Sequence, residues 1–288
     1  VVSSLTISPS AFESGESSSQ NKVTLNGPAP SGGAAVSLTS SNPAVASVPA
    51  TVTVPAGTTQ ATFTTTGVGW VTSPTPVTIS ASYGGVTRTG TLTIYPAVLT
   101  SLSFFSTSVI GGGSTSNNKP ILNGPAPPGG AVVTLSSSNP ALAWAPASVT
   151  IPAGATYTTF TINTAVVTTS TVVTFSATYN GVTKTNSLTV NPIVLSSLTL
   201  SPTSVKGGTP TTSNKVTLNT AAPAGGAVVT VSSSNSAVAS PPATVTVPAG
   251  ATQATFTIAT TAVGASTPVT ITATYGGVTK TATLTVNP

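Results

Sequence analysis

Two carboxylates, Glu13 and Glu16, are the only acidic side chains in the 288 residues, and they stand three positions apart near one end. Such a pair can share acid and base roles or hold a cation, but both chemistries need partners. The sequence contains no His, Cys, Met or Asp, so imidazole or thiolate ligands, Cys/His nucleophiles and disulfides have no material. A calcium site, which takes about six to eight oxygen ligands, would need clustered carboxylates. The composition therefore argues against an enzyme, a metal centre and a cofactor.

The cations are also dispersed. Lys22, Arg88, Lys119, Lys184, Lys206, Lys215 and Lys280 give a formal net charge of +5 but lie far apart in neutral sequence. Nucleic acid needs clustered Lys and Arg, so none is expected as a partner. The pairs Gly32-Gly33, Gly129-Gly130 and Gly225-Gly226 are followed by Ala, not by the Lys-Ser/Thr and helix of a phosphate loop, and read as turns. A Lys–Asn isopeptide bond would need a carboxylic acid buried beside the pair, and the last two thirds of the chain hold none. No apolar run approaches the ~20 residues of a membrane span. The opening at Val1, with no Met anywhere, points to a processed protein or a piece of a longer one.

What remains is an architecture. The string KVTLNGPAP around Leu25 returns as KPILNGPAP around Leu122 and KVTLNTAAP around Leu218, offsets of 97 and 96. Asn42, Asn139 and Asn235 close matching Ser-Ser-Asn strings, and Tyr83, Tyr179 and Tyr275 repeat at 96. The units are 1–96, 97–192 and 193–288, with one extra residue in the first, in the loop holding Trp70. A period this long is a whole domain. Within each unit apolar residues alternate with Thr or Ser, the period of strands with one buried face. In the third unit the inward set is Leu198 and Leu200, Val216 and Leu218, Val229 and Val231, Val245 and Val247, Ala254, Phe256 and Ile258, Val269 to Tyr275 in alternation, then Val278, Leu284 and Val286. That makes seven strands, with Gly84-Gly85, Asn180-Gly181 and Gly276-Gly277 as hairpin turns.

The predicted fold is all-β: three tandem immunoglobulin-like β-sandwich domains of about seven strands each. The unit V-x-S-L-T, V-T-L-N-G-P-A-P, S-S-N-P-A, V-T-V-P-A-G and Y-G-G-V-T-K-T resembles the Ig-like tandem repeats of large bacterial surface and secreted proteins, over all 288 residues. The resemblance implies an extracellular chain of stalk, spacer or fibre type. The junctions Ile94-Tyr95-Pro96-Ala97-Val98 and Val190-Asn191-Pro192-Ile193-Val194 contain no Gly/Ser linker, so a semi-rigid row is expected.

The repeats serve as internal controls for surface features. In the second unit Phe105 stands where the sisters have Ser8 and Ser201, Ile121 where they have Thr24 and Thr217, Trp144 for Ser47 and Ser240, and Tyr157 for Gln60 and Gln253. Polar counterparts mark these positions as solvent-facing. Phe105, Ile121, Trp144 and Tyr157, with Trp70 and Tyr95 of the first unit, are the candidate assembly contacts. Three readings are open: contact with copies of the same chain in a filament or surface layer, a sugar platform for a polysaccharide, or rings folded over their own domain. Glu13 aligns with Ile110 and Lys206, which suggests an intersubunit charge pair of Glu13 or Glu16 with Lys206. The Ser/Thr-rich faces are ordinary outer strand positions that would also accept O-glycans. The expectation is a structural segment at a bacterial cell surface, with a carbohydrate-binding or adhesin array as the alternative.

Overall fold

The computed structural model describes residues 1–288 as twenty-seven strands and no helix. In the first repeat these are β1 (Val2–Thr6), β2 (Ala11–Glu13), β3 (Ser17–Leu25), β4 (Ala34–Ser40), β5 (Ala46–Ser47), β6 (Thr51–Val54), β7 (Gln60–Gly67), β8 (Thr75–Tyr83) and β9 (Val86–Tyr95). The second repeat has β10 (Leu99–Ser103), β11 (Ser108–Ile110), β12 (Ser114–Leu122), β13 (Ala131–Ser137), β14 (Ala143–Trp144), β15 (Ser148–Ile151), β16 (Phe160–Thr164), β17 (Thr171–Tyr179) and β18 (Val182–Asn191). The third has β19 (Leu195–Thr199), β20 (Ser204–Lys206), β21 (Thr211–Leu218), β22 (Ala227–Ser233), β23 (Ala239–Ser240), β24 (Thr244–Val247), β25 (Gln253–Thr260), β26 (Thr267–Tyr275) and β27 (Val278–Asn287). No helix is long and apolar enough to cross a membrane.

Each repeat is a sandwich of a four-stranded and a five-stranded sheet, in the first β1-β3-β7-β5 against β2-β9-β8-β4-β6, and the pattern recurs twice. The chain is three immunoglobulin-like domains in tandem. The seven strands expected in the third repeat are β19, β21, β22, β24, β25, β26 and β27; β20 and β23, of three and two residues, are additional and too short to show a period of two. The inward set read from the alternation is buried except for Ala254, Tyr275 and Val278, which are half-buried. Hairpin turns at Gly84-Gly85, Asn180-Gly181 and Gly276-Gly277 have positive φ at both central residues, as the two-residue turn requires.

Three separate apolar cores form, one per repeat, running from Val2 to Ile94, Ala97 to Val190 and Ile193 to Val286. A buried amide sits in each: Asn21, Asn118 and Asn214 are wholly inaccessible. Asn118 Nδ2 donates to the carbonyls of Thr115 and Phe160 at 2.9 and 3.2 Å, and its Oδ1 accepts from the Phe105 amide at 3.3 Å. The equivalent bonds of Asn21 reach Ser18, Phe63 and Ser8, and those of Asn214 reach Thr211, Phe256 and Ser201. These amides satisfy carbonyls at a bulge, where the strand register shifts between Thr115 and Asn118 and at the equivalent places.

The three-residue strand has a consequence for the joints. β2, β11 and β20 pair in parallel with the last strand of their own repeat, so Glu13 lies opposite Tyr95, Ile110 opposite Asn191 and Lys206 opposite Asn287. A strand parallel to the exit strand ends where the chain leaves the domain. Each aligned residue is thereby delivered to the trailing end of its sandwich. At the leading end, β12 runs antiparallel to β10 and returns the turn after Leu122 to the entry at Leu99.

Candidate functional site

The four substitutions peculiar to the second repeat fall on one surface, the outer side of the sheet ordered β10-β12-β16-β14. Phe105 follows β10 and is 77% exposed, because its neighbour Phe104 takes the inward place and meets Phe175 edge to face at 5.8 Å. Ile121 on β12 is half-buried and bridges to Tyr157, which is 48% exposed. The Lys119 Nζ stands 4.6 Å from the Tyr157 ring centre, a cation–π distance. Trp144, 44% exposed on edge strand β14, pairs with Asn163 of β16. From Tyr157 to Asn163 is six residues along a strand direction, about 20 Å at the usual rise, so this face has two apolar centres.

Pro120 gives the face a second distinction. Its counterparts Val23 and Val216 pair with Ala61 and Ala254, and the β3–β7 and β21–β25 ladders run on past them. In the second repeat the β12–β16 ladder stops at Asn118–Phe160, while pairing to β10 continues through Leu102–Pro120. Proline brings no N–H to the ladder, and here it interrupts a strand with neighbours on both sides. β16 accordingly begins at Phe160, where its sisters begin at Gln60 and Gln253. On the β10 side of β12 lies an open cleft of about 570 Å³, lined by Ser103, Phe104, Phe105, Asn117 and Lys119. A smaller cleft of about 240 Å³ adjoins Trp144, bounded by Pro140, Pro146 and Ser137. The proline was visible in the sequence; the missing signal was that β12 would be an inner strand.

The remaining candidates lie at the joints. Trp70 is half-buried where the first repeat meets the second: with Val71, Ala97, Pro127, Tyr179 and Asn180 it borders a cavity of about 140 Å³. Gly15, at φ +86°, lets Trp70 and Pro125 close together, since a Cβ there would stand 2.8 Å from Trp70 Cη2 and 3.1 Å from Pro125 Cγ. Asn123 Nδ2 donates to Glu13 Oε1 at 2.8 Å. Glu16 lies close to Glu13, and its carboxyl is raised above the ordinary range by burial first and by the Glu13 charge second. Tyr95 is 42% exposed beside this joint, its carbonyl accepting from the Ser14 amide and hydroxyl. Lys206 is exposed at the trailing end of the third repeat. Glu13 is thus engaged within its own chain, two repeats from Lys206.

The second joint is emptier. Ile110 packs against the core of the third repeat, yet a space of about 550 Å³ remains between Val109–Ser114 and Val166 on one side and Ile193 and Thr220–Ala224 on the other. Val71, Val167 and Val263 pack equivalently on their cores, which aligns Trp70 with Val166 and Ala262. Asn123 and Asn219 entered the sequence reading only as repeat markers. Their Oδ1 atoms accept from the amides of Val98 at 2.7 Å and Val194 at 3.0 Å, fixing the segment that enters each new domain.

Comparison with protein-family models and with curated proteins finds no match. Among solved structures the chain is similar to domains 4–9 of the surface layer protein SbsC, at 19% identity over 88% of this chain and 39% of that one, TM-score 0.28. It is similar to invasin, a bacterial integrin-binding protein, at 15% identity over 95% of this chain and 60% of that one, TM-score 0.38. A fragment of titin matches at 10% identity over 97% and 94% of the two chains, TM-score 0.37. The likeness is one of fold alone.

Proposed function

We propose that the chain is a structural segment of an extracellular bacterial fibre, stalk or surface coat, associating with copies of itself through the apolar face of the middle repeat. The observation that carries this reading is the gathering of Phe105, Ile121, Tyr157 and Trp144 on one outer sheet face whose equivalents in the sister repeats are Ser, Thr, Gln and Ser. Exposed aromatics concentrate binding energy when a partner covers them. A surface in which charged residues are 3% of the chain offers little repulsion between copies. Trp144→Ser, Phe105→Ser and Tyr157→Gln together restore the residues of both sister repeats. Sedimentation velocity of this variant should show a folded monomer where the parent associates; equal association of the two proteins overturns the reading.

A carbohydrate-binding array is the second reading, favoured by the cleft in which Phe105 meets Asn117 and Lys119. Aromatic rings flanked by amide and ammonium donors suit a sugar stacked on its apolar face. Retention of the parent chain on an insoluble polysaccharide, lost in the triple variant, would support it.

A further inference from the structure

The two internal joints share one backbone frame and differ in how it is filled. Gly112 repeats the conformation of Gly15, with φ +86° at both. At the first joint that glycine lies against the indole of Trp70, with Pro125 beside it. At the second joint Val166, Gly113, Ala221 and Ala224 stand where the first has Trp70, Glu16, Pro125 and Pro128. Ile110, Ile193 and Thr220, larger than Glu13, Ala97 and Gly124, return part of the lost volume. Beyond its chain neighbours, a Cβ on Gly112 would meet one atom, Val166 Cγ2 at 3.1 Å. The glycine surface that an indole covers at the first joint is therefore open at the second, inside the cleft of about 550 Å³.

Two walls of this cleft belong to the sheet that carries the apolar face. Ser114 opens β12, Val166 lies two residues past the end of β16, and both line the cleft. Trp144 pairs with Asn163 of β16, so no more than about 11 Å of chain separates that partner from Val166. The chain has two tryptophans. Trp70 fills the first joint, and Trp144 stands exposed near the second, where both sister repeats have Ser. Trp144 does not line the joint cleft of its own chain; it borders the smaller cleft at Pro140 and Pro146.

We infer that the second joint is a socket for Trp144 of a second copy of this chain, whose indole takes the place against Gly112 that Trp70 takes against Gly15. This rests on the self-association proposed above and names the surface that receives the face. Knob and socket lie close together on one repeat. A two-fold axis between two middle repeats therefore sets each indole in the other chain's joint, an isologous contact made twice. No charged residue lines the cleft, so salt leaves the contact intact. The entering ring touches both the second and the third repeat, so association also stiffens the joint. A tryptophan enclosed in a desolvated pocket is the usual form of an interface hot spot.

Trp144→Ser removes the knob and keeps the socket, whereas Val166→Trp closes the socket from within and keeps the knob. Ala221→Phe closes it from the opposite wall, which guards against a fold defect in the other closure. In sedimentation equilibrium of the full chain, each variant should raise the dissociation constant of the pair by about tenfold or more. Trp144→Ser mixed with Val166→Trp retains one of the two contacts, so the mixture should associate more tightly than either variant alone. A mixture no tighter than its components overturns the reciprocal socket. If Val166→Trp and Ala221→Phe both associate like the parent while the triple variant of the sheet face does not, the socket is overturned and the sheet-face reading stands. A parent that stays monomeric at every concentration overturns both.

Discussion

Asn123 donates to Glu13 across 110 residues of sequence, at 2.8 Å, and the same Asn123 accepts from the Val98 amide at 2.7 Å. One side chain therefore fixes the entry to the second repeat and ties it to the first. The tie exists because β2 runs parallel to β9 and delivers Glu13 to the exit of its sandwich.

Removing the acceptor should loosen the joint without unfolding either domain. Glu13→Ala loses a charge-assisted bond at an exposed site, worth about 1 kcal/mol or less. Paired spin labels on the first and second repeats should give a broader distance distribution in this variant, with unchanged thermal melts. Glu13→Gln keeps an acceptor oxygen and should stay close to the parent.

Glu16 makes the first repeat sensitive to pH in an unusual direction. Its folded-state carboxyl titrates above the ordinary value of 4.5, because burial first and Glu13 second oppose its charge. The folded state therefore holds this proton more tightly than the unfolded state, and the group weakens stability above its folded pKa. The penalty is relieved as pH falls through that pKa toward 4.5. Glu16→Gln should raise the melting temperature at pH 7 and flatten its pH dependence across that window. Equal slopes for parent and variant would place the pH response elsewhere.

The sandwich was legible in the sequence because burial follows a period of two, and the long strands hold enough residues to display it. The inner positions from Leu198 to Val286 could be written down in advance for that reason. β20 and β23 could not, since three residues and two residues carry no periodicity. The joints were illegible for a different cause: Asn123, Gly124 and Thr220 act through contacts with residues about a hundred positions away, and only the parallel pairing of β2 and β11 brings those together. The apolar face of the middle repeat was legible through the sister residues, but its interruption at Pro120 needed the strand order.

The two joints should differ in stiffness. Trp70 borders a cavity of about 140 Å³ at the first, while Val166 and Ile110 border a cleft of about 550 Å³ at the second. An emptier contact holds fewer atoms in place, so the third repeat should sample a wider range of orientations than the first, both taken relative to the second. Energy-transfer distance distributions across each joint would measure this. Val166→Trp, which copies the aligned residue of the first repeat, should narrow the second distribution.

Asn118 should prove the most sensitive polar residue of the middle domain. Asn118→Ala leaves the buried carbonyls of Thr115 and Phe160 without their donor and the Phe105 amide without its acceptor. The expected loss is about 2–3 kcal/mol, from orphaned buried groups. Hydrogen exchange of the full chain should show the loss confined to the second repeat, since each repeat has a separate core.

Pro120→Val tests whether the gap in the middle repeat is local or imposed by its surroundings. Valine occupies the equivalent positions 23 and 216, where the ladder to the neighbouring strand is continuous. Restoring an N–H at 120 should extend β16 backward to Tyr157 and close the interval between the Asn118–Phe160 pair and the Ile121–Tyr157 bridge. A new backbone bond contributes about 0.5–1.5 kcal/mol, against which loss of proline's restriction of the unfolded chain costs about 0.4–1 kcal/mol. The net change in stability should therefore be small. Amide protection should nevertheless rise sharply at positions 157–159, and if Tyr157 and Lys119 form the contact with a partner, stiffening their strands should shift association or polysaccharide retention where Val23→Ile in the first repeat does not. Unchanged protection would mean that Phe105, Lys119 and Tyr157 hold the strands apart themselves, with the proline merely fitting a gap that the side chains set.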